Sequence, residues 1–135
     1  MPTAGYSGTP LAKKLGLKDG ASVWAAGMPA AVKAEIQATA SPKFSTKPSR
    51  GQEAAHVFHT SAAKLEADLK KLRPLLAPDG QVWVSWPKKA AKVETDITED
   101  VIRKIALPMG YVDVKVCAVD EVWSGLKLVI RKSLR

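Results

Sequence analysis

Residues 54–87 read AAHVFHTSAAKLEADLKKLRPLLAPDGQVWVSWP, and this stretch decides the fold. The apolar run at 54–59 predicts a buried strand, and Ser61 has a side chain suited to capping the helix that follows. The apolar face of that helix recurs at spacings of four, three and four residues, through Leu65, Leu69, Leu72 and Leu76. The first part of the stretch therefore predicts a strand followed by an amphipathic helix.

The second part of the stretch ends the helix and begins another strand. Pro74 should bend or end the helix, because proline lacks a backbone N–H donor. Pro78-Asp79-Gly80 has the composition of a turn, and residues 81–86 form a mostly apolar run that stops at Pro87. Strand, helix and strand in this order are typical of a parallel sheet with a right-handed crossover.

Downstream, the pattern predicts one more helix and a reversed pair of strands. Asp96 and Glu99 are spaced like a capping box, and apolar residues at positions 101, 102, 105 and 107 follow them. Two further strands are predicted at 112–119 and 126–131, joined around Ser124-Gly125 by only a few residues. Because a parallel pair needs a crossover of about a dozen residues or more, these two strands should be antiparallel.

Upstream, the predicted elements are shorter. Thr9 and Pro10 predict a helix start, with Thr9 as the cap and Pro10 at the first helical position. A strand at 23–26 and a helix at 30–38 should follow, the helix beginning after Pro29. These elements extend the alternation of strands and helices towards the N-terminus.

Two segments carry weaker signals. Residues 39–53 should be loop-rich, with one short strand near Ala40 or Phe44, and residues 1–8 should form a flexible arm. The sequence as a whole predicts a single α/β domain over residues 1–135. We expect a Rossmann-like three-layer sandwich, with a mostly parallel sheet of about five to six strands and a C-terminal antiparallel hairpin.

The composition is that of a globular protein. Hydrophobic residues make up 46% of the 135 residues and charged residues 25%, which argues against a disordered chain. Cys117 is the only cysteine, so no intramolecular disulfide can form. No apolar run approaches the ~20 residues of a membrane span, and the first residues lack the pattern of a signal peptide. We therefore expect a cytoplasmic protein with no membrane partner.

The charge of the chain is asymmetric. Its 21 Lys and Arg residues exceed its 13 Asp and Glu residues, which gives a formal net charge of +8. Such an excess attracts anions, whether nucleic acid, a small anionic molecule or an acidic protein. Sixteen of the cations are lysines, whereas arginine is preferred for bidentate recognition of bases and phosphates. A general positive field is therefore favoured over a surface that recognises a nucleic-acid sequence.

Residues 72–84, Leu-Arg-Pro-Leu-Leu-Ala-Pro-Asp-Gly-Gln-Val-Trp-Val, resemble the C-terminal half of class I methyltransferases. In that family too, a leucine-rich helix leads through such a turn into a strand, a helix and a reversed hairpin. The resemblance implies a methyltransferase-like Rossmann fold. The family holds S-adenosylmethionine with a glycine-rich loop after the first strand and an acidic residue that ends the second. Here the first strand leads into Ala26-Gly27-Met28-Pro29, which has one glycine and no nearby acid, so no cofactor is predicted.

A second resemblance spans nearly the whole chain. The sequence is similar to a family of small bacterial proteins with no assigned activity, domain of unknown function 3052. The segments that carry this resemblance are Gly5–Leu11, Ser85–Lys89, Thr95–Glu99 and Val116–Leu126. The family implies no mechanism.

The first candidate site is the carboxyl end of the strand at 81–86. Ligands of open α/β sheets bind outside the carboxyl ends of strands, and the N-terminus of the next helix could hold a phosphate or carboxylate there. The candidate ligand-binding residues are Ser85, Trp86, Lys88, Lys89, Lys92 and Thr95. The acids at 96, 99 and 100 would repel an anion, and a solvated lysine loop is the alternative interpretation.

The second candidate site is the hairpin, with Asp120, Glu121 and Trp123. Neighbours on a strand point to opposite faces, so the two acids can act together only if the strand ends there. An acid–base role would need a partner that the sequence does not identify, and a structural hairpin is the preferred interpretation. By the same rule, Trp83 and Trp86 should lie on opposite faces of the sheet.

The sequence predicts no catalytic residue and no metal ligand. His56 and His59 are three apart on a strand, which places them on opposite faces, and no cluster of further ligands supports them. Cys117 lies in an apolar strand, as a buried small residue would. Gly5-Tyr6-Ser7-Gly8 is not the Gly-x-Ser-x-Gly elbow of a hydrolase, and no strand precedes it.

Three functions follow from these observations. The leading hypothesis is a non-catalytic module that binds an anionic ligand or an acidic protein at the lysine-rich loop. The first alternative is a reduced S-adenosylmethionine-dependent methyltransferase-like enzyme that completes its site from a second subunit. The second alternative is non-specific nucleic-acid binding, which is possible but not favoured and whose affinity would fall steeply with added salt.

Overall fold

A computed structural model describes residues 9–135 of the chain. Six strands form one sheet in the order β2-β1-β3-β4-β6-β5. Strands β1 to β4 pair in parallel, whereas β6 runs antiparallel to both β4 and β5. The strands are β1 Ser22–Ala26, β2 Lys43–Ser45, β3 Gln52–Phe58, β4 Leu76–Pro87, β5 Tyr111–Ala118 and β6 Trp123–Ile130. The predicted sheet, with its C-terminal antiparallel hairpin, is confirmed.

Helices cover both faces of the sheet, which gives the expected three layers. The α-helices are α1 Leu11–Lys14, α2 Ala30–Gln37, α3 Ala62–Leu72 and α4 Glu99–Ala106. Helices α3 and α4 pack on one face, here called the α3–α4 face, and α1 and α2 pack on the other, the α1–α2 face. Three short 3-10 turns lie at Lys89–Ala91, Leu107–Met109 and Lys132–Leu134.

Each face has its own hydrophobic core, and the two tryptophans of β4 divide between them. Trp86 lies in the core of the α3–α4 face, and Trp83 lies in the core of the α1–α2 face. The buried Trp83 indole donates to the carbonyl oxygen of Leu15 at 2.8 Å. On the other face, the Tyr111 hydroxyl donates to the carbonyl oxygen of Leu69 at 2.8 Å. The predicted placement of the tryptophans on opposite faces is confirmed.

Two predicted helix caps are wrong. Thr98, and not Asp96, caps α4, since its side chain accepts from the backbone N–H of Val101. The Asp96 carboxylate accepts instead from the N–H of Ala62 at 2.7 Å, at the start of α3. The sequence could not show this, because residues 62 and 96 meet only when the two helices pack side by side. At α1 the cap position is Pro10, one residue later than predicted.

The sequence suggested that the Pro78-Asp79-Gly80 turn separates α3 from β4, and this is wrong. Strand β4 already begins at Leu76, which pairs with Gln52, while Gln81 pairs with Ala54. Residues 77–80 therefore face a single residue of β3 and form an irregular loop inside the strand. The composition of residues 78–80 predicts a turn, but it does not predict that the chain pairs with β3 both before and after that turn.

The predicted loop-rich segment contains β2, which lies at Phe44, one of the two positions expected for a short strand. Strand β2 is only three residues long and pairs with residues 22–24 of β1. The chain then returns to the start of β3 through residues 46–51. The predicted arm at 1–8, including Gly5-Tyr6-Ser7-Gly8, lies outside the described residues. No helix among residues 9–135 is long and apolar enough to cross a membrane.

Candidate functional site

The parallel strands β1 to β4 end at one edge of the sheet. The loops 27–29, 59–61 and 88–98 follow β1, β3 and β4 there, and the β5–β6 turn at 119–122 joins them. We call these four segments the carboxyl rim. The strand order reverses between β1 and β3, since β2 lies on one side of β1 and β3 on the other. In open α/β sheets this reversal is where ligands bind.

Gly27 shapes the rim at this reversal. It follows β1 with a φ of +67°, a conformation that glycine adopts without strain. A Cβ at this position would lie 2.9 Å from the carbonyl oxygen of Phe58 at the end of β3. The loop after β1 can therefore lie against β3 only because residue 27 has no side chain.

The short β2 leaves a notch beside the upper part of β1. Ala25 and Ala26 pair with β3 only, because β2 ends opposite Trp24. The pocket that results, here called the β1 notch, has a volume of about 560 Å³. It is lined by Ala25, Gly27, Met28, Lys33, Phe44, Ser45 and Thr46.

The β1 notch combines an aromatic ring, hydroxyl groups and one cation. The Lys33 ammonium lies 5.3 Å from the centroid of the Phe44 ring. The Ser45 hydroxyl donates to the carbonyl oxygen of Lys47 at 2.9 Å, and the carbonyl oxygen of Thr46 accepts from the Trp24 indole at 3.2 Å. Among residues 9–135, no carboxylate lines the notch. Lys33 is therefore the one charged group of the described lining.

Ser85 and Trp86, two of the candidate residues from the sequence, lie behind the rim. The Ser85 side chain is fully buried and forms a 2.7 Å hydrogen bond with Nε2 of His56. Trp86 is 9% exposed and packs in the core of the α3–α4 face. Strand β4 is central and covered on both faces, so its last residues contribute to packing before they reach the surface.

The lysines of the 88–98 loop remain on the rim. The backbone N–H of Lys88 donates to the carbonyl oxygen of Val122 at 2.7 Å and fastens this loop to the hairpin. Lys92 has a φ of +55°, the one positive value at a non-glycine position in residues 9–135. Lys88, Lys89 and Lys92 form no ion pair with any described residue.

Thr95 has a structural role in the same loop. Its hydroxyl donates to the carbonyl oxygen of Thr60 at 2.8 Å, and its oxygen accepts from the N–H of Ile97. Thr95 also lines a shallow depression of about 490 Å³ together with Thr60, Ser61, Glu94 and Asp96. The two acids in this lining disfavour an anion in the depression.

The hairpin acids do not form a pair. The Asp120 carboxylate accepts from the N–H groups of Val122 and Trp123, both at 2.8 Å, and so shapes the turn. Glu121 is exposed, and Trp123 packs edge-on against Phe58 with ring centroids 5.1 Å apart. These contacts agree with the structural interpretation of the hairpin.

The two histidines lie in different environments. Burial lowers the pKa of His56 to about 3, so its ring is neutral, and it stacks on Phe58 with centroids 4.2 Å apart. Nε2 of His59 lies 2.6 Å from Oδ2 of Asp68 in α3. Sequence reasoning missed this His59–Asp68 pair, because the contact depends on how α3 packs beside the end of β3. Residues 9–135 contain no cluster of three potential metal ligands.

Several solved structures with a similar fold are methyltransferases. A methyltransferase from Aquifex aeolicus that depends on S-adenosylmethionine has a TM-score of 0.62 at 14% identity, covering 87% of this chain and 86% of that one. The Burkholderia thailandensis 1,6-didemethyltoxoflavin-N1-methyltransferase, solved with S-adenosylhomocysteine, has a TM-score of 0.61 at 13% identity. That alignment covers 90% of this chain and 75% of the enzyme. No family model matches the sequence, and no curated protein matches it.

The comparisons correct two interpretations of the sequence. The expected likeness to the C-terminal half of a methyltransferase extends over both halves, since the matched region includes 87% of the chain. The leading hypothesis of a non-catalytic module that binds an anion or an acidic protein is wrong, because the neighbours favour the methyltransferase-like alternative. At 13–14% identity the likeness establishes a methyltransferase-like Rossmann fold.

Proposed function

We propose that the protein is a reduced methyltransferase-like enzyme that binds S-adenosylmethionine in the β1 notch. The observation that carries this proposal is the position of the notch. It lies at the carboxyl end of β1, beside the point where the strand order reverses. Ligands of open α/β sheets bind at that place.

The residues of the notch fit such a cofactor in size and in most of its chemistry. A volume of about 560 Å³ lies within the usual range of ligand pockets. Phe44 and Met28 offer apolar surface to an adenine ring, and the Lys33 ammonium can hold the carboxylate of the methionine part. Ser45 and Thr46 follow the position at which class I methyltransferases have the acidic residue that ends the second strand, and their hydroxyl groups could contact the ribose instead. The cofactor would supply a methyl group to a nucleophilic acceptor.

The charge of the notch predicts which form of the cofactor binds more tightly. S-adenosylmethionine carries a positive sulfonium, whereas the sulfur of S-adenosylhomocysteine is neutral. Since Lys33 is the one charged group of the described lining, the sulfonium finds no compensating anion there. We therefore expect S-adenosylhomocysteine to bind more tightly than S-adenosylmethionine.

We further propose that the acceptor lies along the remainder of the rim, over Lys88, Lys89 and Lys92 and beside the hairpin at 120–123. Support comes from the contact between Lys88 and Val122, which makes the two segments one surface. These segments also carry the resemblance to domain of unknown function 3052, and we propose membership in that family. We also propose that the chain is a single domain located in the cytoplasm. The free thiol of Cys117 supports the location, and the one sheet of residues 9–135 supports the single domain.

Isothermal titration of the protein with S-adenosylhomocysteine tests the proposal. We expect one site per chain, and we expect Lys33→Gln to weaken binding about tenfold, the loss of roughly one charge-assisted contact. Lys70→Gln is the matched control, because it removes the same charge from the exposed side of α3 and should leave the affinity unchanged. Absence of heat up to millimolar ligand, or an equal loss in both variants, would reject the notch as the cofactor site.

A further inference from the structure

Two lysines lie directly opposite each other in the C-terminal hairpin. Lys115 of β5 pairs with Lys127 of β6, and both side chains lie on the α1–α2 face, on the side of Trp83. Like charges directly opposite on one face of a sheet destabilise the pair. The arrangement breaks a local rule of strand pairing, and such exceptions concentrate at functional positions.

A third lysine and an aromatic ring complete the group. The Lys14 ammonium donates to the carbonyl oxygen of Ala118 at 2.8 Å, which brings α1 to the end of β5. The Lys115 ammonium lies 5.9 Å from the ring of Trp83. Burial, and then the charge of Lys115, lower the pKa of the half-buried Lys127. Lys115 and Lys127 are therefore direct neighbours, and Lys14 adds a third cation towards the end of β5.

Within residues 9–135, no carboxylate forms an ion pair with these cations. Residues 1–8 contain no Asp or Glu in their sequence. The pairing of β5 with β6 shifts register between Asp113 and Lys115. Asp113 binds Arg103 of α4, on the α3–α4 side, while Lys115 lies on the opposite side. Glu53 and Asp79 line a shallow pocket with Lys127 but do not pair with it.

We propose that Lys14, Lys115 and Lys127 form a binding site for a phosphate group on the α1–α2 face of the hairpin. The negative charges and several oxygens of a phosphate match ammonium groups that lie on one face, and lysine binds phosphate as a point charge. The phosphate can belong to a free polyphosphate compound or to the backbone of a nucleic-acid strand. The site is independent of the β1 notch, so it stands or falls separately from the proposed function.

Amide NMR of the unmodified chain locates the site before any residue is changed. One titration uses inorganic pyrophosphate, and a second uses single-stranded oligouridine of about 12 nucleotides, enough for one binding site. We expect saturating shifts for the amides of residues 115–118 and 125–128. Saturation by pyrophosphate alone identifies a free compound, and tighter binding of the RNA identifies a strand. If neither probe gives saturating shifts at the hairpin, the proposal is wrong.

A pair of double variants then assigns the lysines. Lys115→Gln with Lys127→Gln should weaken binding of the effective probe at least about tenfold, since two charge-assisted contacts are lost. Lys70→Gln with Lys71→Gln removes the same charge from the last turn of α3 and should change the affinity less than about twofold. Equal losses in the two double variants would show a general field effect and overturn the site. A thermal melt of each variant confirms folding. Lys14→Gln removes the ammonium that donates to the carbonyl oxygen of Ala118, and it should also weaken binding of the probe.

Discussion

The two halves of the sheet are built differently. In one half, β3 to β6 are seven to twelve residues long, and we call this the complete half. In the other, β1 and β2 have only five and three residues, and we call this the reduced half. The β1 notch exists because β2 stops short. A strand that stops short can therefore open a pocket where the fold places its ligands.

The largest expected effect is a difference in how much each half contributes to the free energy of unfolding. Leu69 is fully buried in the core between α3 and the sheet, and Leu69→Ala should cost about 3–4 kcal/mol of unfolding free energy. Phe44 is half-buried on the edge strand, so Phe44→Ala should cost roughly 1–2 kcal/mol, below the value for a buried ring. Urea unfolding measures both. A cost for Phe44→Ala as large as that for Leu69→Ala would mean that the short edge is as essential as the core.

The second prediction concerns the junction of the halves. Gly27→Ala should cost roughly 2–3 kcal/mol, since alanine pays about 1–2 kcal/mol for positive φ and its Cβ would also meet the backbone of β3. Gly20→Ala is the matched control, because Gly20 has a φ of +77° but open space around it, and it should cost only about 1 kcal/mol. Unfolding in urea gives both numbers. Equal costs would show that the close approach to Phe58 contributes nothing.

The third prediction uses the neutral His56 in β3, the strand next to the junction. Its pKa is lowered from 6.5 to about 3, so the unfolded chain takes up a proton on acidification before the folded chain does. The stability linked to His56 is therefore present above pH 6.5 and is lost as the pH falls towards 3, by about 1.4 kcal/mol per pH unit.

The measurement compares the protein with His56→Gln at two pH values. Between pH ~7 and ~5, the unmodified protein should lose roughly 2 kcal/mol more than the variant. The carboxylates titrate in both proteins, so the difference isolates the histidine. An identical pH dependence in the two proteins would mean that His56 accepts a proton in the folded state.

The sequence predicts the complete half well and the reduced half less well, for physical reasons. The four-three spacing of Leu65, Leu69 and Leu72 in α3 and the short link between β5 and β6 are local signals, and each is compatible with only one structure. The length of β2 has no such signal, because it depends on where Phe44 meets β1. The same holds for the candidate site. The predicted strand ends indicate the carboxyl rim, but the β1 notch can be predicted only when the pairing of β2 with β1 is known.

Contacts between distant segments were the other features that the sequence could not supply. The Asp96 carboxylate has the spacing of a cap for its own helix, yet it binds the start of α3. Lys115 and Lys127 look like ordinary surface lysines until the shifted register of β5 places them opposite each other. In both cases the partner is decided by tertiary packing and not by the local pattern.

The smallest expected effect concerns Tyr111, which joins the hairpin to α3 in the complete half. Tyr111→Phe keeps the ring in the core and removes the hydrogen bond from the hydroxyl to Leu69, which should cost about 1 kcal/mol at neutral pH. The cost stays small because the same carbonyl oxygen also accepts from the backbone N–H of Arg73.

Alkaline conditions should reverse this order of stability. Burial raises the pKa of Tyr111 above its usual range, because the phenolate cannot be solvated in the core. The stability linked to this group is therefore intact below pH ~10, where the unfolded tyrosine begins to ionise, and is lost as the pH rises further. Tyr111→Phe cannot ionise, so its disadvantage in urea unfolding should shrink above pH ~10 and then become an advantage. A constant difference between the two proteins across this range would mean that Tyr111 reaches solvent and that the hairpin opens readily from α3.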